Sequence, residues 1–126
     1  MTRIAGLLAL LCLSGCGDAP ELGDDSRTWT VVGLNGATFA ASAAVTFMED
    51  GTMRGAAPCN RISGAWSGRL DALKIGPVVS TRMACPELPA EQAFLSALSA
   101  ATRAEITDDG LRLSGGGHVL ELSAES

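Results

Sequence analysis

Tyrosine is absent from these 126 residues, histidine occurs once, and aromatic side chains make up only 4% of the chain. With one histidine, most routes to nucleophilic or acid–base catalysis close. His118 follows a triple glycine at the start of an apolar segment, and no Gly-x-Ser-x-Gly elbow occurs anywhere. Carboxylate pairs of the glycosidase type could be drawn from Glu49, Asp50, Asp71, Glu105 or Asp109, but the aspartates stand in turn signals, which account for them more simply. The chain therefore reads as a non-enzyme with no catalytic residue, no cofactor and no metal. A basic run is missing too. The net charge of −5 is concentrated before residue 27, and Arg27 to Ser126 carries eight basic against ten acidic side chains. Nucleic-acid binding thus has no electrostatic footprint. The five aromatics (Trp29, Phe39, Phe47, Trp66 and Phe94) promise a modest core for one domain, and a monomer is expected.

Only one long hydrophobic run is present. Thr2-Arg3 supplies a positive start, and Ile4 to Leu13 is an unbroken stretch of apolar and small residues, the pattern of a signal sequence. As a helix it would reach about 15 Å, half of the ~30 Å hydrocarbon core, which is too short for a permanent span. The next residues, Leu13-Ser14-Gly15-Cys16, resemble the lipobox of bacterial lipoproteins. That resemblance implies cleavage before Cys16 and acylation of its sulfur and new amine, and two or more acyl chains make a firm membrane anchor. The competing reading is an ordinary secretory signal in which Cys16 is incidental. Gly17 to Ser26 is acidic, contains Pro and Gly, and lacks apolar periodicity, as a tether should. The predicted organisation is a signal peptide over 1–15, lipidated Cys16 with its tether over 16–26, and a domain over 27–126. Gly17 stands where an Asp would favour inner-membrane retention in enteric bacteria, so the periplasmic face of the outer membrane is the expected location.

Of four cysteines, Cys12 leaves with the signal and Cys16 takes the lipid, so Cys59 and Cys85 remain. In an oxidising compartment a disulfide is the default for such a pair. Free thiols, or metal or redox chemistry, are the alternatives. The pair is not a CxxC turn, and with His118 alone a zinc site would lack ligands.

From Arg27 onward the chain alternates short apolar–polar segments with turn signals. Trp29 and Val31 predict a strand ending at Asn35-Gly36. Val45 and Phe47 run into a hairpin at Asp50-Gly51, and Thr52-Met53-Arg54 leads away from it. Ile62–Trp66 and Leu70–Ile75 form another pair, broken by Gly68 and Asp71 and closed by Pro77. Then the period changes. Ala90, Ala93, Phe94, Ala97, Leu98 and Ala101 mark one face of a helix, with Pro89 in its first turn and Glu91 at its positive end. Three further strands follow, carrying Ala104 and Ile106, Leu111 and Leu113, and Leu120 and Leu122. The predicted fold is α+β: a mostly antiparallel curled sheet or incomplete barrel of about eight short strands with one helix packed on it.

The segment Gly55-Ala-Ala-Pro-Cys59-Asn60-Arg61-Ile-Ser63-Gly64, the later Thr81-Arg82-Met83-Ala84-Cys85-Pro86 and the following helix resemble the META domain family, whose bacterial members include HslJ-type lipoproteins. The Trp29 strand with Leu34-Asn35-Gly36 and the Phe47-x-x-Asp50-Gly51 hairpin fit the same pattern. One departure is Pro58, where the family commonly has Gly before Cys-Asn. The resemblance implies a compact β-rich fold with a packed helix, no established catalysis, and links to envelope stress. Asn60, Arg61 and Arg82 beside the two cysteines are the candidate binding residues; for Asn60 a purely structural role in the loop competes. The favoured function is binding or steadying an envelope protein partner in support of stress resistance. A carrier for a small hydrophobic ligand and an inhibitor of a periplasmic hydrolase are the alternatives.

Overall fold

Alternation of buried and exposed side chains shapes most of this chain into strands. A computed structural model describes residues 22, 23 and 26–124. In chain order it contains β1 (Thr28–Leu34), β2 (Ala37–Thr38), β3 (Ala44–Phe47), β4 (Thr52–Ala56), β5 (Arg61–Arg69), β6 (Ala72–Ile75), β7 (Val79–Ser80), α1 (Leu88–Ala100), β8 (Arg103–Ile106), β9 (Leu111–Gly115) and β10 (His118–Ala124). The predicted signal peptide, Cys16 and most of the predicted tether lie outside the described residues.

Eight strands run in the order β6-β5-β4-β3-β1-β10-β9-β8, all neighbours antiparallel, with the two-residue β2 on β1 and β7 on β5. The two end strands approach one another. Leu73 N–H donates to the Thr102 carbonyl at 2.9 Å and Ala104 N–H to the Leu70 carbonyl at 2.6 Å, so the sheet is an almost closed barrel. Closure removes most of the unpaired edge that an open sheet would leave. The curled-sheet expectation is met in this form. Turns fall where their chemistry places them: Asn35 and Gly36 both have positive φ, 52° and 86°, as the tight β1–β2 turn requires. Three details differ from the sequence reading: β2 follows Asn35-Gly36 as an extra two-residue strand, and two more concern β5 and β7. β5 does not break at Gly68 but runs on to Arg69, and β7 follows Pro77 as an extra short strand.

Inward side chains fill the barrel. Phe47, Phe94, Met53, Leu98, Leu113, Leu120 and Val45 are all essentially inaccessible, and burying each stabilises by about 1.5–3 kcal/mol relative to exposure. The helix closes one end, where β4 stops and β5 starts, and Phe39 leans on Phe94 with ring centroids 6.3 Å apart. At the other end Phe47 meets Trp66 edge to face at 5.7 Å, and the Trp66 indole donates to the Met48 carbonyl at 3.0 Å. Leu22, within the stretch read as tether, is buried here, and Gly23 lies against the Trp66 ring. Trp29 is also buried; its indole N–H finds no partner among the described residues, while the Arg27 guanidinium sits 5.4 Å from its ring centroid.

The helix face differs from the predicted stripe. Ala93 is exposed, and the buried set is Glu91, Phe94, Ala97 and Leu98. Replacing Phe94 by Ala should cost about 3–5 kcal/mol in urea unfolding, because that side chain plugs the barrel end. Ala93→Ser should change stability by under about 0.5 kcal/mol. A second check concerns the β3–β4 hairpin, where Thr52 donates its hydroxyl and its N–H (2.9 Å) to the Asp50 carboxylate and holds that carboxyl below the ordinary aspartate range. A carboxyl with a lowered folded-state pKa adds stability above its unfolded-state value and loses it as pH falls through the folded one. Carboxyl-carbon NMR titration should therefore show Asp50 shifting toward the ordinary range in Thr52→Val.

Candidate functional site

The β4–β5 connection, Ala57-Pro58-Cys59-Asn60, is a tight loop closed by a hydrogen bond from Ala57 N–H to the Asn60 carbonyl at 2.7 Å. Pro58, which has no N–H, stands second in this loop, and the N–H groups that the loop uses are those of Ala57, Cys59 and Asn60. The loop turns the N–H groups of Cys59 and Asn60 toward the helix. Both donate to one oxygen of Glu91, at 2.8 and 2.9 Å, and the Asn60 side-chain amide donates to the other at 2.6 Å. Glu91 is only 3% exposed and Asn60 6%. Isolated, such a carboxylate would be prohibitively costly to bury; three donors make it tolerable.

Asn60 works in the other direction as well. Its amide nitrogen also donates to the Met83 carbonyl at 3.1 Å, and its oxygen accepts from Met83 N–H at 2.7 Å and from the Thr81 hydroxyl at 2.9 Å. All four hydrogen-bonding positions of the side-chain amide are thus used. Thr81 ties the same segment to β5, its hydroxyl accepting from Arg61 N–H at 3.1 Å while its own N–H donates to the Arg61 carbonyl. The Cys59–Cys85 disulfide, with Cα atoms 5.7 Å apart, makes the third link between the β4–β5 loop and the segment before the helix. Closing its loop is worth about 3–4 kcal/mol by chain entropy. Gly64 belongs to the same construction: a Cβ there would come within 2.9 Å of the Pro77 carbonyl oxygen, so only glycine lets the chain into β7 cross β5 this closely.

The residues singled out from sequence fall into two groups. Cys59, Cys85 and Asn60 meet in one buried network, in which Asn60 is a structural tie. Arg61 and Arg82 lie outside it with exposed side chains, flanking the bridge and forming no ion pair among the described residues. Cys16 lies outside the described residues. His118 is half-buried at the start of β10, its ring nitrogen 3.3 Å from the Asn35 amide, and β10 is flanked by β1 and β9 rather than standing at a sheet edge. Sequence reasoning missed Glu91 as a core residue. The signal was there: Glu91 precedes Phe94 and Leu98 by three and seven positions, the spacing of one helical face, so the helix carries a carboxylate in the middle of its apolar stripe. Among the described residues no three His, Cys, Asp or Glu side chains gather as a metal site. A shallow groove of about 470 Å³, lined in part by Asn35, Arg112, Val119 and Glu121, opens on the outer wall, with Arg112 already paired to Glu121 and Glu105.

The META domain profile matches residues 22–126. Among solved structures, one from Burkholderia xenovorans, determined by NMR, superposes with TM-score 0.65 at 20% identity, covering 95% of this chain and 99% of that one. A crystal structure of a DUF4847 family protein from Bacteroides vulgatus gives TM-score 0.65 at 19% identity, covering 78% of this chain and 92% of that one. At these identities the likeness is one of fold. No curated protein matches.

The network makes a sharp prediction. Glu91→Gln keeps the length but must turn an NH₂ toward a donor, and should cost about 1–3 kcal/mol in urea unfolding of the oxidised protein. Glu91→Ala should cost more, since three buried donors lose their acceptor. A double-mutant cycle with Asn60→Ala should show a coupling above about 1 kcal/mol.

Proposed function

The chain belongs to the META domain family, and from that premise we propose that it is a non-enzymatic lipoprotein of the bacterial cell envelope, anchored through Cys16, whose domain binds or steadies another envelope protein. The observation that carries this reading is the continuous order of signals at the N-terminus: a cationic start, an apolar stretch too short to span, and Leu13-Ser14-Gly15 directly before Cys16. The Cys59–Cys85 bridge supports it, because such bridges persist in oxidising compartments. Support for binding comes from the segment 79–87, β7 and the loop after it, largely exposed yet tied down by Asn60, Thr81 and the disulfide. A carrier for hydrophobic ligands is less well supported, since Phe47, Met53, Phe94 and Leu98 already occupy the barrel interior.

Expression of the full chain in a bacterial host tests the anchor. The wild type should appear in the membrane fraction with an acylated Cys16 as its first residue. Cys16→Ser should block both acylation and cleavage by the lipoprotein peptidase, leaving the signal attached. An unmodified, thiol-reduced chain in the cytosol would defeat the proposal.

A further inference from the structure

Charge is handled differently on two walls of the barrel. On the wall formed by β8, β9 and β10, Arg103 and Arg112 stand against Glu105 and Glu121, with Arg112 3.6 Å from Glu105 and 3.7 Å from Glu121, so cations and anions balance in number. Strands β3 to β7 contain no acidic residue, yet Arg54, Arg61, Arg69 and Lys74 on them are all exposed. Arg69 pairs with Asp71 in the β5–β6 turn, and Asp50 is near enough for Arg54 to lower its pKa. Arg61, Lys74 and Arg82, like Arg103 on the other wall, have no ion-pair partner among the described residues, but here no strand carries an anion to balance them. The Glu87 carboxylate lies 3.8 Å from the Cys85 sulfur.

Exposed apolar groups collect at the same place. Strand register puts Arg54, Ser63 and Val79 in one outward row, with Ala56 and Arg61 in the next. Val79 is 66% exposed and Met83 63%, two of the three large apolar side chains left in solvent among the described residues. Among the described residues β7 pairs with β5 alone, which leaves main-chain groups of its outer edge free there. Residues 79–87 bury no side chain in the core, so core packing does not explain why this segment is held. It is held by Asn60, the bridge and Thr81, which lowers the ordering cost of any partner that binds there.

We propose that this wall docks a protein partner presenting an extended segment in which the side chains of one face, every second residue, are in turn acidic and apolar. The segment adds to the free edge of β7, its carboxylates meeting Arg61 and Arg82 and its apolar side chains covering Val79 and Met83. This rests on the binding role proposed above and names its surface. An anionic membrane is the rival source of negative charge. The chain reaches the barrel at Leu22, at the Trp66 end, whereas Arg61, Arg82 and Met83 lie at the helix end, and lipid headgroups have no use for a strand edge.

The processed full chain, its mass first checked for cleavage and lipid, is labelled with nitrogen-15 in phosphatidylcholine bicelles. It is titrated with a synthetic peptide of repeating Glu-Thr-Val-Thr (Glu/Val), which puts Glu and Val in turn on one face, and with counterparts in which Lys replaces Glu (Lys/Val) or Ser replaces Val (Glu/Ser). A parallel sample replaces part of the lipid with phosphatidylglycerol. Saturable shifts at Ser63, Val79, Ser80, Arg82 and Met83 are expected with Glu/Val. Binding should weaken by about tenfold or more with either counterpart peptide, or in Arg61→Glu or Arg82→Glu proteins, which have exposed substitutions and should melt as wild type. Arg112→Ala should bind as wild type. Equal binding of Lys/Val, shifts on β8–β10, no saturable shifts, or shifts at this wall only with phosphatidylglycerol would each overturn the proposal. Loss of the anchor would appear separately, as an unprocessed mass before any peptide is added.

Discussion

The Glu91 carboxylate is the contact on which the architecture of the helix end depends. A charged group with 3% exposure persists only because the β4–β5 loop offers it two backbone N–H groups and the Asn60 amide. That requirement couples three parts of the chain far apart in sequence. The helix cannot shift along the barrel end without stripping Glu91 of its donors. The loop cannot reorient without exposing them, and Asn60 cannot rotate without releasing the Thr81–Met83 segment. The disulfide adds a covalent tie between the same two segments, so the polar network sets local geometry while the bridge restricts the unfolded chain.

Around this fixed point the rest is apolar packing. Phe94 and Leu98, three and seven positions after Glu91, enter the barrel interior from the helix, where Phe47, Met53, Leu113 and Leu120 come from strands on several sides. The interior is thus closed by the helix at one end and by Trp66 with Leu22 at the other. The outer surface is free to differ from wall to wall, with cations and anions balanced in number on β8–β10 and uncompensated cations between β4 and the segment after β7.

Much of the fold was legible from the chain. Strands with a clean two-residue period, such as those carrying Val45 and Phe47 or Leu120 and Leu122, appear where alternation puts them, and Asn35-Gly36 and Asp50-Gly51 make their turns because left-handed backbone is cheap there. The helix was legible too, but its buried face was misjudged by one position. An apolar-only count chose Ala93 and passed over Glu91, since no periodicity rule anticipates a carboxylate whose donors come from another loop. β7 was missed because two residues carry no period; it exists because Gly64 admits the chain beside β5.

The candidate site divides along the same line. Sequence by itself determined the identity of the pieces: two cysteines for a bridge, an Asn-Arg pair beside the first, a cation beside the second, and an N-terminal lipidation pattern, all readable because each is a local or stoichiometric property. Only the tertiary structure decided their roles. Asn60 turned inward because Glu91 and Met83 supply partners that lie 31 and 23 residues away in the chain. The scattered cations became one surface because antiparallel register brings residues from separate strands onto a common face, a juxtaposition that exists only once the barrel is formed.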